Sequence, residues 1–201
     1  MTALLAEAPA AGVDQRAIAA TLACIARHGL GKTTIDDVAR EAGCSRATLY
    51  RYFDGKQELV AAAVRAEVER LTAVVRDAAD DAETLEDAIV AVLHTAGTEI
   101  GEHPALRFVA DFEPERLLPS LTFARGDEFL AAASSALAPS LERFVRGRSL
   151  RAAEWIVRVG LTLWCNPTCP VSLTDPDSVR GYVRDFIVPA LAPSVPVLPR
   201  G

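Results

Sequence analysis

The stretch TTIDDVAREAGCSRATLYRYFDGKQEL, from Thr33 to Leu59, crowds helix starts and stops so closely that few folds can accommodate it. Thr34 stands at a helix N-cap position with Asp37 three residues on, and Asp36 and Asp37 complement the positive end of the helix dipole. The predicted helix runs through Val38 and Ala39 to Ala42, and Gly43 stops it. Ser45 then caps a short third helix whose Leu49 and Phe53, four residues apart, face inward. Asp54 caps a fourth, with Gln57 at the capping-box position, continuing through Leu59, Ala63 and Val64 toward Arg76. Upstream, Asp14 is the expected N-cap of a first helix carrying Ile18, Leu22 and Ile25 on one face. It ends at Arg27-His28-Gly29, with Leu30 as the apolar residue that follows a C-terminal glycine. Short helices joined by such tight turns predict a compact all-α unit.

Helix, glycine turn, second helix is the arrangement by which a helix-turn-helix sets one helix across a phosphate backbone and lays the next in the major groove. Gly43 suits the turn because a side chain is uncomfortable at positive φ. On the second helix of the pair, Ala47, Leu49 and Phe53 take the packing or close-approach positions. Arg46, Thr48, Tyr50, Arg51 and Tyr52 are left pointing outward. Two arginines and two tyrosines on so short a helix suit a surface that reads base edges and grips phosphates. Lys56, in the first turn of the next helix, adds a cation where backbone N–H groups already favour a phosphate.

Charge fits a confined binding surface. The whole chain carries −6, yet through Arg70 nine basic residues balance nine acidic ones, and the entire excess falls beyond, with twelve basic against eighteen acidic. Between Ser45 and Lys56, Arg46, Arg51 and Lys56 oppose only Asp54.

Helical patterns continue through the remainder, with no convincing strand and no internal repeat. After a linker at Asp80-Asp81, Thr84 opens a long helix with Leu85, Ile89, Val92 and Leu93, ending near Gly101. Pro104 begins a short one with Leu106, Phe108 and Val109. Pro114 and Pro119 break the chain before a long helix from about Leu121 to Val145, in which Pro139 predicts a kink or break. Ser149 is the expected cap of a helix through Trp155, Ile156, Val159 and Leu163, terminated by Asn166-Pro167. The last helix is expected from Asp177 to Leu191. The expected organisation is a disordered lead-in over 1–12, a DNA-binding domain over 13–60, a larger helical domain over 61–192 and a loose tail over 193–201.

Other function classes find little support. No Gly-rich phosphate loop, Gly-x-Ser-x-Gly or His-Glu-x-x-His is present, and three histidines leave little for acid–base work, so no enzyme, cofactor or metal is expected. Cys24, Cys44, Cys165 and Cys169 make neither a disulfide framework nor a zinc pattern, and read as reduced thiols of a cytoplasmic protein. No apolar run reaches the roughly 18 residues of a membrane span, and no secretory signal is expected.

The ordered set Thr33, Thr34, Val38, Ala39, Ala42, Gly43, Ser45, Ala47, Leu49, Tyr50, Tyr52, Phe53, Lys56 and Leu59 resembles the TetR/AcrR family of bacterial regulators. The resemblance covers about forty-five residues counting the first helix, and beyond them only the helical layout matches. Cys44 departs where Val is usual, and Ala47 where Gly is common. The resemblance implies an N-terminal three-helix DNA-binding domain and a larger C-terminal helical domain for ligand binding and dimerisation. It makes Thr34, Ser45, Arg51, Tyr52 and Lys56 phosphate or positioning contacts, and Arg46, Ala47, Thr48 and Tyr50 the groove-reading set. Dimerisation through the last two long helices would use Trp155, Val159, Leu163, Tyr182, Val183 and Phe186, with Ile156 adding apolar area. An apolar effector cavity in the middle helices would draw on His94, Phe108, Phe112, Phe129 and Trp164, with Phe123 also considered. The partners implied are operator DNA, a second copy of the chain and a small molecule. The function implied is repression relieved by that molecule; an activator of the same fold, or a helical interaction module that does not bind DNA, are the alternatives.

Overall fold

The computed structural model describes residues 12–116, 123–166 and 170–191, and every regular element among them is helical. The chain divides into two compact units. One runs to Val68 and takes in Pro104–Arg116; the other holds Glu69–His103 and the described residues beyond.

In the first unit, α1 (Val13–Lys32) turns Ala17, Ala20, Thr21, Cys24 and Ile25 inward. The inner stripe therefore favours small residues; of Ile18, Leu22 and Ile25, expected on one inward face, only Ile25 is buried and the other two are partly so. Asp14 does not cap the helix: Gly12 is the N-cap, without a side-chain bond, and Asp14 lies in the first turn. Gly29 takes the expected positive φ (81°), but the chain resumes a helical turn as far as Lys32 instead of leaving. The backbone N–H and hydroxyl of Thr33 then donate to the Gly29 carbonyl at 3.2 and 2.7 Å.

The helix α2 (Ile35–Glu41) opens with the reciprocal box expected of Thr34 and Asp37. The Asp37 N–H donates to Thr34 Oγ1 at 3.2 Å, and the Thr34 N–H to Asp37 Oδ2 at 3.1 Å. Gly43 turns the chain at φ 65°, and Ser45 caps α3 (Arg46–Tyr52) by accepting from the Thr48 N–H at 3.1 Å. Then α4 (Gly55–Asp80) begins one residue after Asp54, whose own N–H donates to Glu58 Oε2 at 2.7 Å. The side chain reaching back is Glu58, one position beyond the expected Gln57. Val38, Ala39, Leu49, Phe53 and Leu59 close the core against α1.

The short helix α6 (Pro104–Phe112) packs on α1 and belongs to this first unit, although the sequence boundaries assigned it to the larger domain. Its end presents Glu113, whose carboxylate accepts from the N–H groups of Leu30 (2.7 Å) and Gly31 (3.1 Å).

The second unit contains the end of α4 with α5 (Leu85–Glu102), α7 (Phe123–Val145), α8 (Ser149–Cys165), α9 (Pro176–Tyr182), a π turn over Val183–Ile187, and α10 (Val188–Leu191). Ile89, Leu93, Leu141, Ile156, Val179, Val183 and Ile187 are its fully buried centre. Thr84 caps α5 as expected, accepting from the Asp87 N–H at 3.1 Å. Helix α7 does not break at Pro139; Leu137 and Ala138 before it and Ser140 and Leu141 after it are all buried, and this packing carries the helix past the missing N–H. Ser149 is the first residue of α8 and not its cap, which falls on Arg148. The last helix starts one residue earlier than expected: Asp175 caps it, and Pro176 occupies the first turn. It then widens into the π turn, where the Val188 N–H donates to the Val183 carbonyl. Pro189 has no N–H for the Asp185 carbonyl, which relaxes the four-residue ladder here.

The lead-in over 1–11, the breaks at Pro119 and Pro167, the helix start near Leu121, Cys169 and the tail beyond Leu191 lie outside the described residues, and the Phe123 side chain is not described. No helix among the described residues is long and apolar enough to cross a membrane, and none of their His, Cys, Asp and Glu side chains cluster as a metal site.

Candidate nucleic-acid interface

Buried Leu49 and Phe53 fix the roll of α3 and so determine which side chains it shows to solvent. Tyr50 is 52% exposed and Tyr52 47%, a large aromatic area to leave in water unless something covers it. Arg46, Ala47 and Arg51 are exposed with them, and the Arg51 guanidinium stands 5.3 Å from the centre of the Tyr52 ring. Thr48 is half-buried, its hydroxyl paired with that of Ser45 at 2.9 Å.

Not every expected contact points freely outward. The Thr34 hydroxyl donates to Asp37 Oδ2 at 2.6 Å while its oxygen accepts the Asp37 N–H, so Thr34 already serves the cap of α2. That bond is the main cause holding the Asp37 carboxyl below its ordinary range, ahead of Arg40. Lys56 turns back to donate from Nζ to the Gly31 carbonyl at 3.1 Å. Burial, and after it the charge of Arg116, lower its pKa, while Glu113 opposes them. An ammonium has three donors, so one bond to Gly31 leaves two for another acceptor.

The structure adds residues that the sequence pattern did not single out as parts of the site. Asp36 was assigned only to the helix dipole, yet Arg46 Nε lies 3.1 Å from Asp36 Oδ1 and Arg46 Nη1 donates to Oδ2 at 3.2 Å. Glu113 and Phe108 back the α1 end that receives Lys56: a Cβ at Gly29 would stand 2.7 Å from the Phe108 ring. A carboxylate ten residues from its arginine, and a brace more than eighty residues from its target, follow no local spacing rule.

The expected effector residues are divided between the units. Phe108 and Phe112 sit on α6 in the first, their ring centres 4.9 Å apart, Phe108 against α1 and Phe112 70% exposed. His94, Phe129 and Trp164 are half-buried in the second, and His94 Nδ1 lies 3.0 Å from the Leu173 carbonyl oxygen, a satisfied histidine. A surface pocket of about 340 Å³ in the second unit is lined by Arg148, Arg151, Ala152, Trp155, Ala190 and Leu191, none of them among those five.

The expected interface residues also separate. Ile156 and Val183 belong to the second unit's own core, and Leu163 is also buried. Trp155, Val159 and Tyr182 pack partly against that core, and Phe186 is 64% exposed with its ring 5.3 Å from that of Tyr182.

A capped helix, a positive-φ glycine, and a second capped helix with a basic and aromatic outer face define a helix-turn-helix transcriptional regulator. Comparison with known proteins resolves the class further. Residues 17–63 match the family described as bacterial regulatory proteins, tetR family. An uncharacterised HTH-type transcriptional regulator of Mycobacterium tuberculosis is 32% identical over 161 residues, 80% of this chain and 76% of that protein. Among solved structures, the TetR family repressor AlkX from Dietzia sp., implicated in biodegradation of n-alkanes, superposes with a TM-score of 0.66 at 24% identity, covering 92% of this chain and 96% of that one. The fatty acid degradation regulator FadR from Bacillus halodurans does so with a TM-score of 0.63 at 18% identity, covering 90% and 98%. The chain belongs to the TetR family of transcriptional regulators and is not an enzyme.

Proposed function

We propose that this regulator is a cytoplasmic homodimeric repressor that binds a two-half-site operator through α3 and is released from it by a small apolar effector. The observation that carries the DNA-binding surface is the outer face of α3, where Arg46, Tyr50, Arg51 and Tyr52 stand exposed on a buried Leu49 and Phe53. Arg46, Ala47, Thr48 and Tyr50 read the groove, and Thr34, Ser45, Arg51, Tyr52 and Lys56 fix position on the phosphates. Dimerisation supplies the second half-site, about 34–36 Å from the first. The exposed Phe186 beside Tyr182 supports an interface on the last helices.

An aliphatic effector is supported by the two similar structures, one implicated in n-alkane biodegradation and one named for fatty acid degradation. Such a ligand acts if it binds the DNA-incompetent spacing of the two reading heads better than the competent one. The test is fluorescence anisotropy on the duplex upstream of the protein's own gene, with and without a saturated fatty acid or an n-alkane, beside a reporter driven by the same promoter. Repression requires reporter output to fall when the regulator is supplied and to recover with the effector. Output that rises on supplying the regulator identifies an activator instead.

A further inference from the structure

We propose that Asp36 is a positioning residue for DNA recognition: from the first turn of α2, its carboxylate holds the Arg46 guanidinium against the outer face of α3, favouring one base-reading geometry over indiscriminate phosphate contact. The inference rests on the reading of α3 as the groove helix. Arg46 Nη1 donates to Asp36 Oδ2 at 3.2 Å and Nε approaches Oδ1 at 3.1 Å, so the guanidinium is held at the carboxylate by one hydrogen bond and by charge. Fold stability does not account for the pair. Its side chains are 58% and 53% exposed, and ion pairs so wet contribute little to folding. Electrostatics alone disfavours it, because a carboxylate beside the leading cation of a DNA-reading helix weakens attraction to every phosphate.

What the pair does supply is order. An arginine side chain has many rotamers, and fixing one before docking removes part of the ordering cost, but only for a duplex that accepts that geometry. Asp36 is itself well anchored. Val38 and Ala39 bury the inner face of α2, and the box between Thr34 and Asp37 fixes its start. The neighbouring charges are engaged within the same head, Asp37 with Arg40 at 3.3 Å and Glu41 with Arg27. Arg46 and Tyr50 lie one helical turn apart, and the Tyr50 side chain, ahead of Asp36, raises the Arg46 pKa, so the guanidinium is engaged by both.

The test uses the full chain and a duplex selected by the wild-type protein from a randomised pool, with a scrambled duplex as control. Dissociation constants for both are measured across salt for wild type, Asp36→Asn, Arg46→Ala and the double variant. Asp36→Asn is expected to bind scrambled DNA at least as well as wild type, and to lower the selected-to-scrambled ratio about three- to tenfold, the size of ordering one long side chain. Its melting temperature is expected to stay at the wild-type value. With Arg46 already replaced, the same substitution should leave the ratio unchanged. An unchanged ratio in Asp36→Asn overturns the proposal, as does a rise, which would make the carboxylate a competitor for Arg46. An equal fall in the Arg46→Ala background also overturns it. If wild type itself selects no sequence, the reading of α3 fails and takes the proposal with it; if wild type selects and Asp36→Asn matches it, the proposal falls alone.

Discussion

Neighbouring residues on α3 have opposite jobs, and substitution separates them. Leu49 is 1% exposed and Tyr50 52%, so Leu49→Ala should destabilise the fold by about 2–5 kcal/mol. Tyr50→Ala should leave the melting curve almost unmoved while costing about 1–3 kcal/mol of specific binding by titration against the selected duplex. Equal weakening on selected and scrambled DNA would remove Tyr50 from base reading. Lys56→Ala should weaken binding to every duplex and reduce the slope of log K against log salt by about one unit. An unchanged slope would mean that its bond to the Gly31 carbonyl is its whole role. The outward set on α3 was legible because Leu49 and Phe53 fix the helix phase within a single turn. The Asp36–Arg46 pair was not, since it depends on how α2 crosses α3.

Several helix starts were legible because the bond that makes them is local. Thr34 with Asp37, Ser45 with Thr48, and Thr84 with Asp87 each close within three residues. Two features were not legible because packing or an irregular turn decides them: the π turn at Val183 and α6 lying on α1. Two glycines test the distinction. Gly43 has positive φ with open space around it, so Gly43→Ala should cost about 1–2 kcal/mol from the backbone alone. Gly29→Ala should cost more, because its Cβ would also meet the Phe108 ring and the Glu113 carboxylate. Equal melting temperatures for the two variants would show that α6 does not hold this end of α1.

Glu86 bonds chiefly to Arg184 and then Arg180, while Asp87 bonds to Thr84 and then Arg180; both carboxyls are held below their ordinary values of 4.5 and 3.8. A depressed carboxyl favours the folded state above its unfolded pKa, and that contribution fades as pH falls through the folded pKa. The double variant Glu86→Gln, Asp87→Asn should therefore unfold more easily than wild type at neutral pH in urea. The gap should begin to narrow as pH falls below 4.5, through Glu86, and narrow further below 3.8, through Asp87. A gap constant with pH would assign the loss to packing.

The proposed repressor couples a DNA-reading head to proposed dimerisation through the second helical unit. Phe186, exposed beside Tyr182, is the side chain on which dimerisation is most economically tested. Phe186→Asp should sediment as a folded monomer and lose most of its operator affinity; an unchanged dimer would place the interface elsewhere. The helical class and the reading head were legible from caps and spacing. The assignment of α6 to the head was not, because its residues follow α5 directly and only the tertiary contacts place them with α1.

The most direct measurement is selection of duplexes from a randomised pool by the purified wild-type protein, followed by anisotropy titration at moderate salt. The proposed function requires enrichment of a near-palindromic site with half-sites one helical turn apart, bound about a thousandfold more tightly than scrambled DNA. A pool that emerges without enrichment, and equal affinity for every duplex, would contradict it.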